Sequence, residues 1–106
     1  MLSEEFALVT GTNRGIGQSI VKSLLRDGYS VFAHARKKSA AFEMQCVKLA
    51  KQYGKQVIPV YFDLALEDSI KIGVKEIQNY GKKLTVLVNN AGIVGSVNLF
   101  TMTRMS

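Results

Sequence analysis

The sequence predicts an α/β fold: a Rossmann-type, doubly wound parallel sheet whose strands lie in the order 3-2-1-4. Three observations carry that expectation. Short apolar strands alternate with stretches whose apolar residues recur every three or four positions. Asp27-Gly28-Tyr29, Tyr53-Gly54-Lys55 and Tyr80-Gly81-Lys82 each close a helical stretch and hand over to a strand, as expected of glycines that end helices in the left-handed conformation. Finally, Gly11-Thr12-Asn13-Arg14-Gly15-Ile16-Gly17 comes straight after the apolar run Phe6-Ala7-Leu8-Val9-Thr10. A strand that breaks into glycines and enters a helix is the sequence form of a phosphate-binding turn.

Taken in order, the first strand runs from Phe6 to Thr10, and its helix carries Ile16, Ile20, Leu24 and Leu25 on one face. The second strand is Ser30 to Ala35, followed by a helix that presents Phe42, Cys46, Leu49, Ala50 and Tyr53. The third, Gln56 to Phe62, contains the only proline, Pro59. A residue without an N–H belongs on a sheet edge, which agrees with the outer place of strand three in the order 3-2-1-4. The third helix, about Ser69 to Tyr80, presents Ile70, Val74 and Ile77, with Asp68 or Ser69 as its cap and Gly73 as its weak point. The fourth strand, Leu84 to Val88, is almost wholly apolar, as a central strand should be.

Right-handed crossovers put the first two helices on one face and the third on the other. Strand four is then left as an open apolar edge, and self-association is expected of it. Residues 1–92 read as the dinucleotide-binding units. Residues 93–106, where the pattern fades, read as a loop and the start of a helix, poorly ordered without a partner.

Composition narrows the classes. With 106 residues, 47% hydrophobic and 21% charged, the chain is an ordinary globular domain and not a disordered tail. A single cysteine, Cys46, excludes an internal disulfide framework and suits the cytoplasm. The acidic start Met1-Leu2-Ser3-Glu4-Glu5 lacks the form of a secretory signal. No apolar run approaches the roughly 20 residues that span a bilayer. The net charge is +6 with a pI near 9.6. The lysines Lys22, Lys48, Lys51, Lys71 and Lys75 lie on helix backs and ends without aromatic interleaving, so nucleic acid is not the expected partner. His34 stands alone near a strand end, Cys46 sits on an apolar helix side, and Met44, Met102 and Met105 show no ligand spacing. No metal site is expected.

The spacing of the turn is G-x-x-x-G-x-G, not the commoner G-x-G-x-x-G. Gly11, Gly15 and Gly17 would serve the tight turn, the close approach to pyrophosphate and helix–sheet packing, with the Ile16 N–H aimed at a phosphate. A site for the unphosphorylated dinucleotide places an acid at the end of strand two to bind the ribose 2′-hydroxyl. No acid occurs between Asp27 and Glu43, where Arg36, Lys37 and Lys38 stand instead. A guanidinium forks onto a 2′-phosphate that a carboxylate would repel. The expected cofactor is therefore NADP (NADPH), preferred over NAD.

Thr10-Gly11-x-x-x-Gly15-Ile16-Gly17 together with Asn89-Asn90-Ala91-Gly92 resembles the two signatures of the short-chain dehydrogenase/reductase family. Within it, the texture is most similar to the 3-oxoacyl-acyl-carrier-protein reductases. The resemblance implies a cofactor site built from Gly11, Asn13, Arg14, Gly15, Ile16, Gly17, Arg36, Asp63, Leu64, Asn90, Ala91 and Gly92. Arg14 would supply the second cation, and the Asp63 carboxylate would meet the adenine amino group. Asn90, Ala91 and Gly92 would pass beside the adenosine ribose, while Asn89 holds the sheet centre. It also implies NADPH-dependent reduction of a carbonyl such as a 3-oxoacyl thioester.

The family's catalytic Tyr-x-x-x-Lys pair and serine belong to the half of the fold that follows. Tyr29, Tyr53, Tyr61 and Tyr80 are followed four places on by Ala33, Val57, Ala65 and Leu84. No catalytic residue is assigned. The chain reads as the cofactor-binding N-terminal part of such an enzyme, truncated before the catalytic half. The alternative is a non-catalytic nucleotide-binding or interaction module.

Overall fold

The computed structural model describes residues 4–13 and 15–90. It contains β1 (Glu5–Val9), α1 (Gly15–Arg26), β2 (Ser30–Ala35), α2 (Ala40–Tyr53), β3 (Val57–Tyr61), α3 (Glu67–Asn79) and β4 (Lys83–Val88). The strands form one sheet in the order β3-β2-β1-β4, and all three pairings are parallel. Order and strand positions follow the sequence reading. β3 is an edge strand, with Pro59 in register with Ala33. An edge strand bonds on one side only, so a missing N–H is tolerated there.

The sheet separates two apolar cores. Phe6 and Leu8 of β1, Phe32 of β2, Val60 of β3 and the residues Phe62 and Leu64 that follow pack under Ile70, Val74 and Ile77 of α3. Val9, Val31, Ala33, Ala35 and Val57 face the opposite way, against Val21 and Leu25 of α1 and Phe42, Cys46 and Leu49 of α2. Two helices thus cover one face and one covers the other, as right-handed crossovers require.

The alternation breaks once. Between Phe6 and Ala7 the pairing with β4 steps from Leu84 to Val86, leaving Thr85 as an extra residue. Leu84 and Leu87 therefore both lean on the α3 core although three positions separate them, while Val88 joins the other core. The Thr85 hydroxyl donates to the Glu5 carboxylate at 2.9 Å. At the starting ends of the strands a polar clamp joins β1, β2 and β3. The Ser30 hydroxyl donates to the Glu4 carboxylate and accepts the Gln56 N–H at 3.0 Å, and the Gln56 side-chain amide donates to Glu4 at 2.9 Å.

Gly54 ends α2 in the left-handed region at φ 63°, as the glycine punctuation predicts. Ser39 caps the other end of α2, its hydroxyl accepting the Phe42 N–H at 3.0 Å. α3 departs from expectation at its start. It begins at Glu67, ahead of both expected caps, and Leu66 at the cap position makes no side-chain cap bond. The acidic first turn, Glu67 and Asp68, supports the helix dipole instead. The Ser69 hydroxyl accepts the Asp63 N–H at 2.8 Å, so it fixes the preceding loop.

Gly73 is also corrected. It is no mere weak point, because a Cβ there would overlap the Phe62 ring, with Cγ 2.6 Å away. Phe62 is 3% exposed and cannot swing clear. Gly73→Ala, which would stabilise an open helix by about 1 kcal/mol, should here destabilise by about 1–3 kcal/mol through overpacking. Urea unfolding of the two proteins measures the sign.

Candidate functional site

The carboxyl ends of parallel strands all open on one side of the sheet, where such folds bind ligands. Here the loops after β1, β2 and β3 and the end of β4 surround a cleft of about 980 Å³. The turn after β1 contributes Gly11, Asn13, Gly15 and Gly17. The end of β2 contributes His34, Arg36 and Lys37. Asp63 and Leu64 come from the loop after β3, and Asn90 from the end of β4. The expected site residues among these come together. Arg14, Ala91, Gly92, the Ile16 side chain and the segment 93–106 lie outside the described residues.

The three glycines differ in what surrounds them. Gly11 has φ 66°, so the turn itself needs it. At Gly17 a Cβ would strike the Gly11 carbonyl oxygen and lie 2.8 Å from the Thr12 Cα. This is helix-to-turn packing. At Gly15, the first residue of α1, a Cβ would meet no protein atom within 4 Å. It borders the cleft, where a missing side chain leaves room for a ligand at a helix N-terminus.

Side chains from the other strands hold the turn. The Thr10 hydroxyl donates to Asn89 Oδ1 at 2.9 Å, and Asn90 Nδ2 donates to the Gly11 carbonyl at 3.1 Å. The N–H and hydroxyl of Thr12 both donate to the His34 carbonyl, at 2.8 and 2.9 Å. The Gly11 N–H donates to His34 Nδ1 at 3.0 Å, while His34 Nε2 lies 2.7 Å from the Phe62 carbonyl. A carbonyl only accepts, so the hydrogen-bond partners assign the proton to Nε2 and the lone pair to Nδ1. The imidazole is buried, at 3% exposure.

Burial lowers the His34 pKa, partly opposed by the bond to Phe62 and the nearby Asp63 carboxylate. In the sequence His34 reads as a lone histidine near a strand end, unsuited to a metal role. The available signal was a polar side chain within Ser30-Val31-Phe32-Ala33-His34-Ala35, a strand buried throughout, since buried polar groups are paired.

At the rim, Arg36 Nε lies 3.4 Å from Asp63 Oδ2, with the arginine side chain 70% exposed. Asp63 Oδ1 accepts the Ala65 N–H at 2.9 Å. Lys38 turns to Glu43 at 3.9 Å, so Arg36 and Lys37 are the basic residues of this segment that border the cleft. Leu64 borders it too, while packing into the α3 core. Cys46 is buried, and its thiol is pushed up to about 11 by burial and by Glu43, which leaves it un-ionised at neutral pH. Among the described residues no cluster of His, Cys, Asp or Glu could hold a metal. No described helix is long and apolar enough to cross a membrane.

The profile of the short chain dehydrogenase family matches residues 5–105. The chain belongs to that family. A short-chain dehydrogenase/reductase of Armillaria gallica is 37% identical over 93 residues, covering 88% of this chain and 30% of the relative. The 3-oxoacyl-[acyl-carrier-protein] reductase of Staphylococcus aureus is 39% identical over 90 residues, covering 82% and 35%. The crystal structure of a 3-oxoacyl-[acyl-carrier protein] reductase from Brucella melitensis matches with TM-score 0.76 at 30% identity, covering 88% and 36% of the two chains. L-sorbose reductase from Gluconobacter frateurii, complexed with NADPH and L-sorbose, matches with TM-score 0.76 at 26% identity, covering 86% and 34%. The chain thus spans about a third of the length of these relatives.

The two helical glycines of the turn should separate on substitution. Gly17→Ala should cost about 1–3 kcal/mol or more, since its Cβ meets backbone. Gly15→Ala should stay within about 0.5 kcal/mol of the wild type. Urea midpoints test both.

Stability should also depend on His34. Its folded pKa is depressed, so the unfolded chain takes the proton first. The stability it contributes is complete above pH 6.5 and lost as pH falls from there toward the folded value, at up to about 1.4 kcal/mol per pH unit. Denaturation of wild type and His34→Asn between pH 8 and 5 isolates this component.

Proposed function

We propose that this chain is the NADPH-binding part of a short-chain reductase, and that the whole enzyme reduces a carbonyl such as that of a 3-oxoacyl thioester. The observation that carries the cofactor choice is the end of β2. Arg36 and Lys37 border the cleft there, and the carboxylate that reaches this corner, Asp63, is paired with Arg36. A 2′-phosphate gains charge-assisted hydrogen bonds from such a rim. A ribose 2′-hydroxyl finds no strand-end acid to bind it.

The open space at Gly15 suits a pyrophosphate at the N-terminus of α1. Asp63 and Leu64 are suited to the adenine, and Asn90, with Ala91 and Gly92 after it, to the adenosine ribose. The similarity to 3-oxoacyl reductases, and to a reductase complexed with NADPH, supports the reading. A Brucella melitensis reductase structure in complex with NAD makes the choice between cofactors the point to test.

In this reading residues 1–106 bind the dinucleotide in the cytoplasm without turning over substrate, because none of their tyrosines has a lysine four places on. Hydride transfer to a carbonyl needs a positioned proton donor. β4, at an edge of the described sheet, offers half-buried Leu84, Val86, Leu87 and Val88 to a second copy.

Titration of the chain with NADPH and with NADH, followed by cofactor fluorescence, tests the proposal. NADPH should bind more tightly. Arg36→Ala should weaken NADPH by about 1.5–3 kcal/mol, on the order of 10- to 150-fold, and leave NADH nearly unchanged. Equal affinities in the wild type overturn the preference, and absence of binding overturns the reading.

The open edge makes a separate prediction. At micromolar concentration the chain should sediment as more than a monomer, and a monodisperse monomer with strongly protected β4 amides would exclude it.

A further inference from the structure

We propose that His34 is a positioning residue for the dinucleotide-binding turn, and that a single proton on its Nδ1 releases the turn and weakens dinucleotide binding. The inference rests on the binding role proposed above and adds to it a proton that competes with the cofactor.

The geometry leaves the imidazole little freedom. Nδ1 accepts the Gly11 N–H at 3.0 Å, and Nε2 donates to the Phe62 carbonyl at 2.7 Å. The residue's own carbonyl takes both donors of Thr12. One residue at the end of β2 therefore ties the turn after β1 to the loop after β3, across the floor of the cleft. The Phe62 ring packs on the imidazole, with centroids 4.2 Å apart.

The neutral ring, protonated on Nε2, satisfies both neighbours. A proton taken from solvent onto Nδ1 occupies the lone pair that holds Gly11 and sets two N–H groups against each other. Gly11 must then move, and with it the carbonyl that Asn90 grips and against which Gly17 packs. Gly11, Gly15 and Gly17 all border the cleft, so a displaced Gly11 alters the surface offered to a ligand.

Among the described residues the charged surroundings are few. Asp63 is the carboxylate that acts on the ring and favours the proton. It is itself paired with Arg36, and Lys37 borders the same cleft. Thr12 and Asn90, which face the ring or the turn from β1 and β4, are neutral. Burial outweighs the Asp63 effect and keeps the ring neutral at pH 7.

His34 is the only histidine of the chain, which makes the test direct. Nitrogen-15 NMR of the whole chain should show a neutral ring protonated on Nε2 at pH 8. On acidification the ring should titrate below 6.5, and the Gly11 amide should move with the same midpoint. Saturating NADP⁺ should lower that midpoint further.

The NADP⁺ dissociation constant should rise up to about tenfold per pH unit below the midpoint of the free chain, relative to His34→Asn. Asparagine offers Gly11 an oxygen that does not titrate. The ligand's phosphate, which ionises near pH 6, is common to both proteins and cancels. A ring that titrates normally with an unmoved Gly11 amide overturns the proposal, as does equal pH dependence in the two proteins. If the variant does not fold, the wild-type NMR titration still decides. Failure to bind dinucleotide at any pH refutes the proposed function instead, and leaves the link between His34 and Gly11 to the NMR titration.

Discussion

The structure depends on how the backbone of Gly11 is held. A turn that aims N–H groups outward at a ligand gives up the partners those groups would find in regular structure, and must be fixed by other means. Here the N–H of Gly11 goes to a side chain of β2, and its carbonyl takes an amide that follows β4. Thr10 and Thr12 on either side bond to Asn89 and to the His34 carbonyl. Each strand neighbouring β1 thus supplies one hold on Gly11 and another on a flanking threonine. The 3-2-1-4 order makes this possible, because it places β1 between the two strands that supply them.

The rest of the fold carries this arrangement. Parallel strands bring three successive loops and the end of β4 to one side of the sheet, so residues far apart in sequence, such as Gly11 and Asn90, meet at 3.1 Å. The apolar cores set the heights of the helices on the two faces. Gly73 lets α3 sit directly on Phe62, whose carbonyl in turn holds His34. A contact on the α3 face is thus linked through one aromatic residue to the turn on the far strand.

Much of this was legible in the sequence because the physics involved is local or periodic. Alternating apolar runs placed the strands, and the glycines after Asp27, Tyr53 and Tyr80 take the left-handed backbone expected of them. Pro59 identified the edge. What escaped was non-local. Nothing near Gly73 announces that Phe62 lies across it, so helix propensity alone made it look like a defect. Asp68 and Ser69 had the composition of caps, but the helix starts earlier, and Ser69 is committed to the Asp63 backbone. His34 looked idle because its partners, Gly11 and Phe62, lie on other strands and offer backbone atoms, which leave no mark in a side-chain motif. The extra residue at Thr85 is silent for a similar reason, since an apolar strand with one shifted register keeps its composition.

The clamp of Glu4, Ser30 and Gln56 lies at the pole of the sheet opposite the cleft. With the Gly11 junction at the other pole, β1 and β2 are pinned at both ends as rails are fixed to a frame. Sliding either strand by one residue would turn its apolar side chains to the wrong core and break polar bonds at both poles together. Displacement of either strand along its own axis is therefore opposed at both ends. The short loops above the rails lack such double anchoring, and the sheet beneath serves as a fixed datum from which those loops are measured.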